Sequence, residues 1–220
     1  MKRLIWAVFL MFALNTTGLQ ALNLAADSVQ THKTVVENTV YSGKKAIMVK
    51  EPADLINADE DNLAVLKDVK FQDGEIEVWI SGEPRKEAIE QARGFVGIAF
   101  RVSDDCSKFE AIYLRPTNGR ADDQLRRNHS IQYMSYPDYP WHRLRRENPG
   151  MYESYADMEP GKWIKYRLVV KGTKAFLYLN ENSQPNLIVN DLKLGSSTGG
   201  VGFWIGPGTI AHFSDLKISK

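Results

Sequence analysis

Apolar and polar residues alternate along many short segments of the chain, and most segments end at a turn signal. Residues 74–80, 94–102 and 109–115 show this pattern, as do residues 163–171 and 174–180 on either side of a glycine turn. A period of two places alternate side chains on opposite faces of a β-strand, so each segment predicts a strand with one buried face. Because no helical period is visible, we predict an all-β domain, a two-sheet antiparallel β-sandwich of the jelly-roll type.

The same alternation predicts which side chains fill the core between the sheets. Burying an aliphatic or aromatic side chain of this kind contributes about 1.5–3 kcal/mol before conformational entropy is counted. The predicted core residues are Ile76, Val78, Val96, Ile98, Phe100, Ile112, Leu114, Leu168, Val170, Leu177 and Leu179.

The face opposite this core carries charged and aromatic side chains on two predicted strands. Arg101 lies near the end of segment 94–102, and Tyr113 and Arg115 alternate with core residues in segment 109–115. A sheet face with two arginines and a tyrosine is unusual unless something covers it. We therefore predict that these three side chains face a ligand.

Residues 116–149 interrupt the strand pattern. They show little apolar periodicity, and long segments of this kind in compact domains are usually functional or disordered. The segment is too rich in tyrosine, tryptophan and aliphatic residues to be typical of disorder. We predict an insertion at 116–153 that comes directly after Arg115 and walls the cationic face into a cleft.

The insertion mixes arginines, amides and aromatic rings, which suits a sugar ligand. Aromatic rings pack on the C–H groups of a sugar ring, while amide and guanidinium groups bond its hydroxyls. The predicted ligand-binding residues are Arg101, Tyr113, Arg115, Asn118, Gln132, Tyr133, Tyr136, Trp141 and Arg143. Two alternatives stay open: a loop that is held by its own Arg–Asp pairs and seals the face, and an acidic sugar as the ligand.

The sequence offers few candidate catalytic or metal-binding residues. If the protein is catalytic, His129 and Glu153 are the predicted acid/base residues, and the arginines before His129 are expected to lower its pKa. His212, inside the last predicted strand, is expected to be structural. The spacing of His, Cys, Asp and Glu is not typical of a zinc site, and no cofactor is predicted. The aspartate pairs at 104–105 and 122–123 leave a structural calcium ion open.

The N-terminus has the features of a signal peptide. Lys2 and Arg3 precede an uncharged run at 4–14, and small residues come after it at 19–26. The run is shorter than the ~20 apolar residues that span a bilayer. We predict a signal peptide over 1–21 with cleavage somewhere in 21–26, one domain over 27–220, no membrane span after signal removal, and a secreted or periplasmic location.

The net charge of the chain bears on the type of partner, and its cysteine content bears on disulfide formation. The chain has 28 Lys and Arg against 27 Asp and Glu, so no global field favours nucleic acid, and we predict a carbohydrate partner instead. Cys106 is the only cysteine, which excludes an internal disulfide. Its acidic neighbours are expected to raise the pKa of its thiol.

The last third of the chain resembles a known superfamily. It reads WIKYRLVV at 163–170, GGVGFWI at 199–205 and AHFSDLKI at 211–218, and the earlier segments GFVGIAFR and FEAIYLRP match the same pattern. These segments resemble the concanavalin A-like lectin/glucanase superfamily, and within it the laminin-G-like jelly rolls and the bacterial 3-keto-disaccharide hydrolase domains. The resemblance implies a jelly roll from about residue 27 to the C-terminus.

The resemblance leaves three functions open, because this fold hosts several. They are carbohydrate binding without catalysis, a sugar-processing hydrolase of the 3-keto-disaccharide type, and a laminin-G-like protein-binding module. The Glu-x-Asp-x-x-Glu strand of the glucanases, which places two carboxylates on one face, is absent from the sequence. We therefore expect a glycan-binding protein and leave its activity as an enzyme undecided.

Overall fold

Two antiparallel sheets stack face to face in the computed structural model, which describes residues 18–55, 61–86 and 88–220. The eight-stranded sheet contains β1 (Gln20–Ala21), β3 (Val35–Tyr41), β4 (Lys44–Lys50), β6 (Gly74–Pro84), β11 (Ile164–Lys171), β12 (Lys174–Leu179), β13 (Leu187–Val189) and β15 (Thr209–Ser219). Its spatial order is β13-β12-β11-β6-β15-β4-β3, and β1 pairs with β15.

The seven-stranded sheet carries the candidate site. It contains β2 (Val29–His32), β5 (Asn62–Leu66), β7 (Val96–Val102), β8 (Phe109–Leu114), β9 (Ile131–Tyr136), β10 (Glu153–Ser154) and β14 (Gly200–Ile205). Its spatial order is β10-β9-β8-β7-β14-β5-β2. Two short helices, α1 (Gln124–Asn128) and α2 (Trp141–Glu147), and three 3-10 turns at Ala26–Ser28, Ala53–Leu55 and Pro116–Asn118 complete the elements.

The two sheets enclose one hydrophobic core, as the alternation predicts. Each of the eleven predicted core side chains is buried, with at most 1% of its surface exposed. Each comes from an inward-facing position of β6, β7, β8, β11 or β12. The predicted fold class is therefore confirmed, and so is its core.

The tight turns have the residues that their backbone requires. Ser42 and Gly43 join β3 to β4 with φ values of 43° and 82°. Two consecutive positive φ values match the twist of a β-hairpin, and glycine adopts them without strain. The hairpin of β11 and β12 turns through Gly172 and Thr173, as predicted.

The insertion is more regular than its sequence suggests. Within it β9 is a full strand that pairs with β8 from Leu114↔Ile131 to Phe109↔Tyr136, and α1 and α2 flank it. The expectation of a long irregular segment is wrong here. Residues 131–135 are buried on both faces of the strand, so apolar and polar residues do not alternate along it.

Among the described residues, no helix combines the length and the apolar character that a bilayer crossing needs. Most of the predicted signal peptide, residues 1–17, lies outside the described residues, and export stays a prediction. Within the rest of that segment, Gln20 and Ala21 form β1 beside the end of β15.

Candidate ligand-binding site

The site lies on the outer face of the seven-stranded sheet, which is the face directed away from the main core. The residues of this face form a second buried cluster: Leu63, Ala99, Val102, Cys106, Phe109, Ala111, Tyr113, Met134 and Trp204. The rings of Tyr113 and Trp204 lie 4.5 Å apart, centroid to centroid. They are the floor of the site.

Gly97 makes this floor possible. It pairs with Tyr113 of β8 on one side and with Trp204 of β14 on the other. A Cβ atom at Gly97 would lie 2.6 Å from the Cα and Cβ atoms of Tyr113 and 2.3 Å from the carbonyl oxygen of Ile112. Because glycine has no side chain, the two rings meet across the middle strand.

A cleft of about 390 Å³ opens above this floor. Its volume is within the range of small-molecule sites, about 300–1,000 Å³. The cleft is lined by Ile89, Gln91, Ala92, Arg93, Phe95, Tyr113, Arg115, Asn118, Arg126, His129, Trp141, Arg145, Trp204 and Pro207. The strands supply the floor, and the segments around 89–95 and 115–145 supply the walls.

Arg115 comes directly after β8 and forms part of one wall of the cleft. Its guanidinium donates to the Tyr113 hydroxyl at 2.9 Å and to the His129 carbonyl at 3.0 Å. It also lies 5.6 Å from the centre of the Trp141 ring, a cation–π distance. Asn118 donates to the same His129 carbonyl at 3.3 Å, while its buried side-chain oxygen has no hydrogen-bond partner among the described residues.

Trp141 and Arg145 come from one turn of α2. The Arg145 guanidinium lies 4.8 Å from the centre of the Trp141 ring. Behind them, the side-chain oxygen of Gln132 accepts from Arg145 at 3.4 Å and from Arg115 at 3.5 Å. The Gln132 side chain is fully buried, and its amide donates to the carbonyls of Tyr133 and Tyr152. Gln132 therefore positions two arginines of the wall and does not line the cleft itself.

His129 and Glu153, the predicted acid/base pair, lie beside each other. Glu153 contacts His129 Nε2 at 3.2 Å and Arg145 at 2.7 Å, and only 6% of its side chain is exposed. Burial lowers the pKa of His129, and the charges of Arg145 and Arg115 lower it further, although Glu153 opposes this. The direction is as predicted, but these arginines are not the ones that come just before His129 in the sequence. His129 lines the cleft, whereas Glu153 lies behind it and is held by its two partners.

A side groove of about 610 Å³ adjoins the cleft. His129 and Arg145 line both cavities. The remaining residues around the side groove are Leu125, Asn128, Pro149, Gly150, Glu153, Ser154 and Tyr155. The two cavities therefore meet at His129 and Arg145.

Arg101 does not lie at the cleft, and the prediction that it faces the same way as Tyr113 is wrong. The pairing of β7 with β14 slips by one residue at Gly200, and Arg101 has a positive φ of 54°. This bulge turns the Arg101 side chain between the sheets, where its guanidinium contacts Glu110 at 3.2 Å and the Gly172 carbonyl at 2.6 Å.

Three other predicted residues also lie elsewhere. Tyr133 alternates onto the inner face of β9, and its hydroxyl donates to buried Glu110 at 2.8 Å. Tyr136 stacks on Phe109 at 5.0 Å, away from the cleft. Arg143 points along α2 to Glu147 at 3.0 Å. Of the predicted ligand-binding residues, Tyr113, Arg115, Asn118 and Trp141 line the cleft.

The sequence reasoning missed several cleft residues for different reasons. Phe95 and Trp204 alternate with core residues, so the period of two could have placed them on the outer face. Arg126 and Arg145 belong to the arginine-rich insertion, and their sequence context does not distinguish them from its other arginines. Arg93 ends the charged stretch 83–93, which predicts a solvated loop, although it lies directly before the strand segment 94–102.

The described residues contain no group of three or more His, Cys, Asp or Glu side chains that could hold a metal ion. Three of the four aspartates considered for calcium have protein partners: Asp104 pairs with Lys70, and Asp105 accepts from the hydroxyls of Ser103 and Ser107. Asp123 caps α1 by accepting from the Arg126 backbone.

Solved structures show the same architecture. No family model matches the chain, and no curated protein is significantly similar to it in sequence. The carbohydrate-binding module CBM66 from Bacillus subtilis superposes with a TM-score of 0.60 at 14% identity, over 87% of this chain and 96% of that chain. A protein of unknown function with a galectin-like fold, also from Bacillus subtilis, gives a TM-score of 0.55 at 10% identity, over 88% and 89%.

The carbohydrate recognition domain of Emp47p is a third structural neighbour. It superposes with a TM-score of 0.50 at 9% identity, over 94% of this chain and 98% of that chain. At these identities the likeness concerns the fold. The chain therefore has the fold of these structures, a two-sheet antiparallel jelly-roll β-sandwich.

Proposed function

We propose that the protein is exported and binds carbohydrate in the cleft above Tyr113 and Trp204. The observation that carries the proposal is the cleft itself, an aromatic floor and wall bordered by guanidinium and amide groups. Aromatic faces pack on sugar C–H groups, and planar polar groups bond hydroxyls, so the two kinds of residue together suit a sugar ring.

Two structural neighbours, a carbohydrate-binding module and a carbohydrate recognition domain, use this fold for sugars. Hydrolysis is less well supported. Glycosidases need two carboxyl groups on either side of the scissile bond, whereas the described residues that line the cleft include no Asp or Glu. Glu153, the nearest candidate, is already engaged by Arg145 and His129.

The test is a glycan-array screen of the purified protein, and then titration of each hit with the Trp141→Ala variant. Trp141 lines the cleft, so we expect its loss to weaken binding by about tenfold or more, which is 1.4 kcal/mol. The matched control is Trp79→Ala, because Trp79 is also partly buried but lies on β6 in the other sheet beside Lys44.

If Trp141→Ala and Trp79→Ala weaken binding equally, the ligand binds outside the cleft. A protein that binds no glycan at all would overturn the proposal. Product analysis on each hit then tests catalysis, and release of a shorter sugar would favour the hydrolase alternative.

A further inference from the structure

The wall of the cleft concentrates positive charge. Arg93, Arg115, Arg126 and Arg145 line it, and among the described lining residues none is acidic. The chain as a whole has 28 Lys and Arg against 27 Asp and Glu. The excess therefore belongs to this site and does not reflect a basic protein.

Two of the four arginines have no carboxylate partner among the described ion pairs. Arg93 donates to the backbone carbonyls of Glu90 and Ala92. Arg126 extends from α1 into solvent at the edge of the cleft. Arg145, in contrast, is paired with Glu153. The two arginines without such a partner can bind an incoming anion without breaking an existing ion pair.

The arginines also act on one another. Burial, together with the charges of Arg126 and Arg115, lowers the pKa of Arg93, although Glu90 opposes this. Burial and Arg145 lower the pKa of His129 in the same way, against Glu153 and Asp123. An anion in the cleft would relieve this mutual repulsion.

The hydrogen-bonding groups of the wall also favour an anionic ligand. A guanidinium group only donates, and four of them line the cleft. A neutral sugar presents hydroxyls that both donate and accept, so it would leave many of the guanidinium donors without an ionised acceptor. A carboxylate or sulfate group only accepts, and the planar fork of arginine bonds two of its oxygens at once.

We propose that the ligand is an acidic glycan, one whose sugar carries a carboxylate or a sulfate that lies among Arg93, Arg115 and Arg126. The partly exposed rings of Trp141 and Phe95 then hold the apolar face of the same sugar, above Tyr113 and Trp204, which are each only 2% exposed. This inference rests on the proposed carbohydrate-binding function and specifies its ligand.

The first experiment uses glycan pairs that differ only in charge. Polygalacturonate is compared with its methyl ester, hyaluronan with its carboxyl-reduced form, and dextran sulfate with dextran, which separates carboxylate from sulfate recognition. We expect the acidic member of at least one pair to bind about tenfold or more tightly than its neutral partner. Its affinity should fall as NaCl is raised, because salt screens charge.

Three outcomes are distinguishable when these pairs are printed together with the full glycan array. Acidic hits support the inference. Hits confined to neutral glycans overturn it and leave the proposed carbohydrate binding intact. The absence of any hit overturns both proposals.

The second experiment tests the residues with single variants. Arg126→Gln and Arg93→Gln should each weaken binding of the acidic hit by about tenfold, since each removes a charged hydrogen-bond donor. The control is Arg146→Gln, which removes the same charge from α2 but at an exposed position paired with Glu147. Arg126 is exposed, so its variant is expected to fold normally, and thermal unfolding checks this. Equal weakening by all three variants would mean that general electrostatics, not the cleft, holds the glycan.

Discussion

At the residue scale, a single backbone feature separates two arginines that the sequence places together. Arg115 keeps to the alternation of β8 and reaches the cleft. Arg101 occupies a bulge with a φ of 54° and turns inward, where it contacts Glu110. A bulge adds one residue to a strand and so disrupts the regular alternation of its side chains between the two faces. The result is a buried ion pair between the sheets, and it lies apart from the ligand site.

Arg101→Met tests this structural role. The substitution leaves the Glu110 carboxylate buried beside Tyr133 without its cation, and we expect a loss of about 3–5 kcal/mol in unfolding free energy at pH 8. Burial already raises the pKa of Glu110 above its ordinary value of 4.5, and the variant should raise it further. Protonation in the folded state removes the buried charge, so the loss should shrink as the pH falls toward 4.5.

Urea unfolding at pH 8 and pH 5 measures this difference. Arg167→Met is the control, because Arg167 is a partly exposed arginine with Glu75 at 3.6 Å, and its loss should stay below about 1 kcal/mol at both pH values. Glycan binding by Arg101→Met should remain close to normal once its fold is verified. An equal loss at pH 8 and pH 5 would contradict the role of the Glu110 charge.

His212 provides a second prediction at this scale. It lies on β15, stacked on Tyr41 with centroids 3.7 Å apart, and burial lowers its pKa from 6.5 to about 4. Because the pKa is lower in the folded state, folding favours the neutral His212 imidazole. The contribution of His212 to stability is therefore complete above pH 6.5 and is lost as the pH falls to about 4. His212→Phe keeps a ring against Tyr41 and removes this titration. Between pH 7 and pH 4, we expect the unfolding free energy of this variant to fall less than that of the natural protein. The difference between the two decreases should be up to about 3 kcal/mol.

Chemical denaturation across that pH range measures the difference. The carboxyl groups titrate equally in both proteins and cancel in the comparison. Parallel pH profiles for the two proteins would show that His212 does not contribute to acid unfolding.

At the element scale, the site depends on strands that hold its residues at fixed spacing. The middle strand β7 lets Tyr113 and Trp204 meet because it carries glycine at their level. The fully buried β9 presents Gln132 behind the arginines, and α2 begins at Trp141. The floor and the Trp141 side of the cleft thus depend on neighbouring strands and a short helix, while the irregular segment around 89–95 adds a further wall.

Gly97→Ala tests the floor. Its new Cβ atom would lie 2.3–2.6 Å from backbone and Cβ atoms of β8, so β8 must shift and carry Tyr113 with it. We expect a loss of about 1–3 kcal/mol in unfolding free energy and a loss of glycan binding beyond that of any partly unfolded fraction. Gly202→Ala on the neighbouring strand β14 is the control, because its nearest contact would be 3.3 Å. Normal binding by a folded Gly97→Ala protein would show that the spacing of the rings is not critical.

The same strands explain what sequence reasoning could and could not find. Regular alternation with core residues was enough to place Ile112, Leu114, Tyr113 and Arg115 on their correct faces. It failed for β9, because a strand buried on both faces does not alternate. It also failed for Arg93, which lies in an irregular charged stretch just before β7 and outside the alternation of that strand. Local periodicity therefore found the sheet and only part of the cleft.

At the scale of the whole molecule, no internal disulfide contributes to stability. The only cysteine, Cys106, is buried, and burial together with Asp105 raises the pKa of its thiol, so it is protonated and unreactive at neutral pH. Without a disulfide, the fold depends on the contacts within and between its two sheets. The N-terminal residues that pack against the core therefore matter for stability.

The cleavage site is the last prediction. We expect the exported protein to begin between Leu22 and Asp27, and a start at Leu22 retains more of the packing that the structure shows. The Leu22 amide donates to the Leu216 carbonyl at 2.9 Å, and Leu22 and Leu24 pack against the core. A chain that starts at Asp27 loses these contacts, so it should be less stable than a chain that starts at Leu22 by about 1–3 kcal/mol. N-terminal sequencing of exported material identifies the start, and urea unfolding of the two shortened chains measures the difference. Exported protein that retains Met1 would contradict the signal peptide, and equal stability of the two chains would contradict the packing argument.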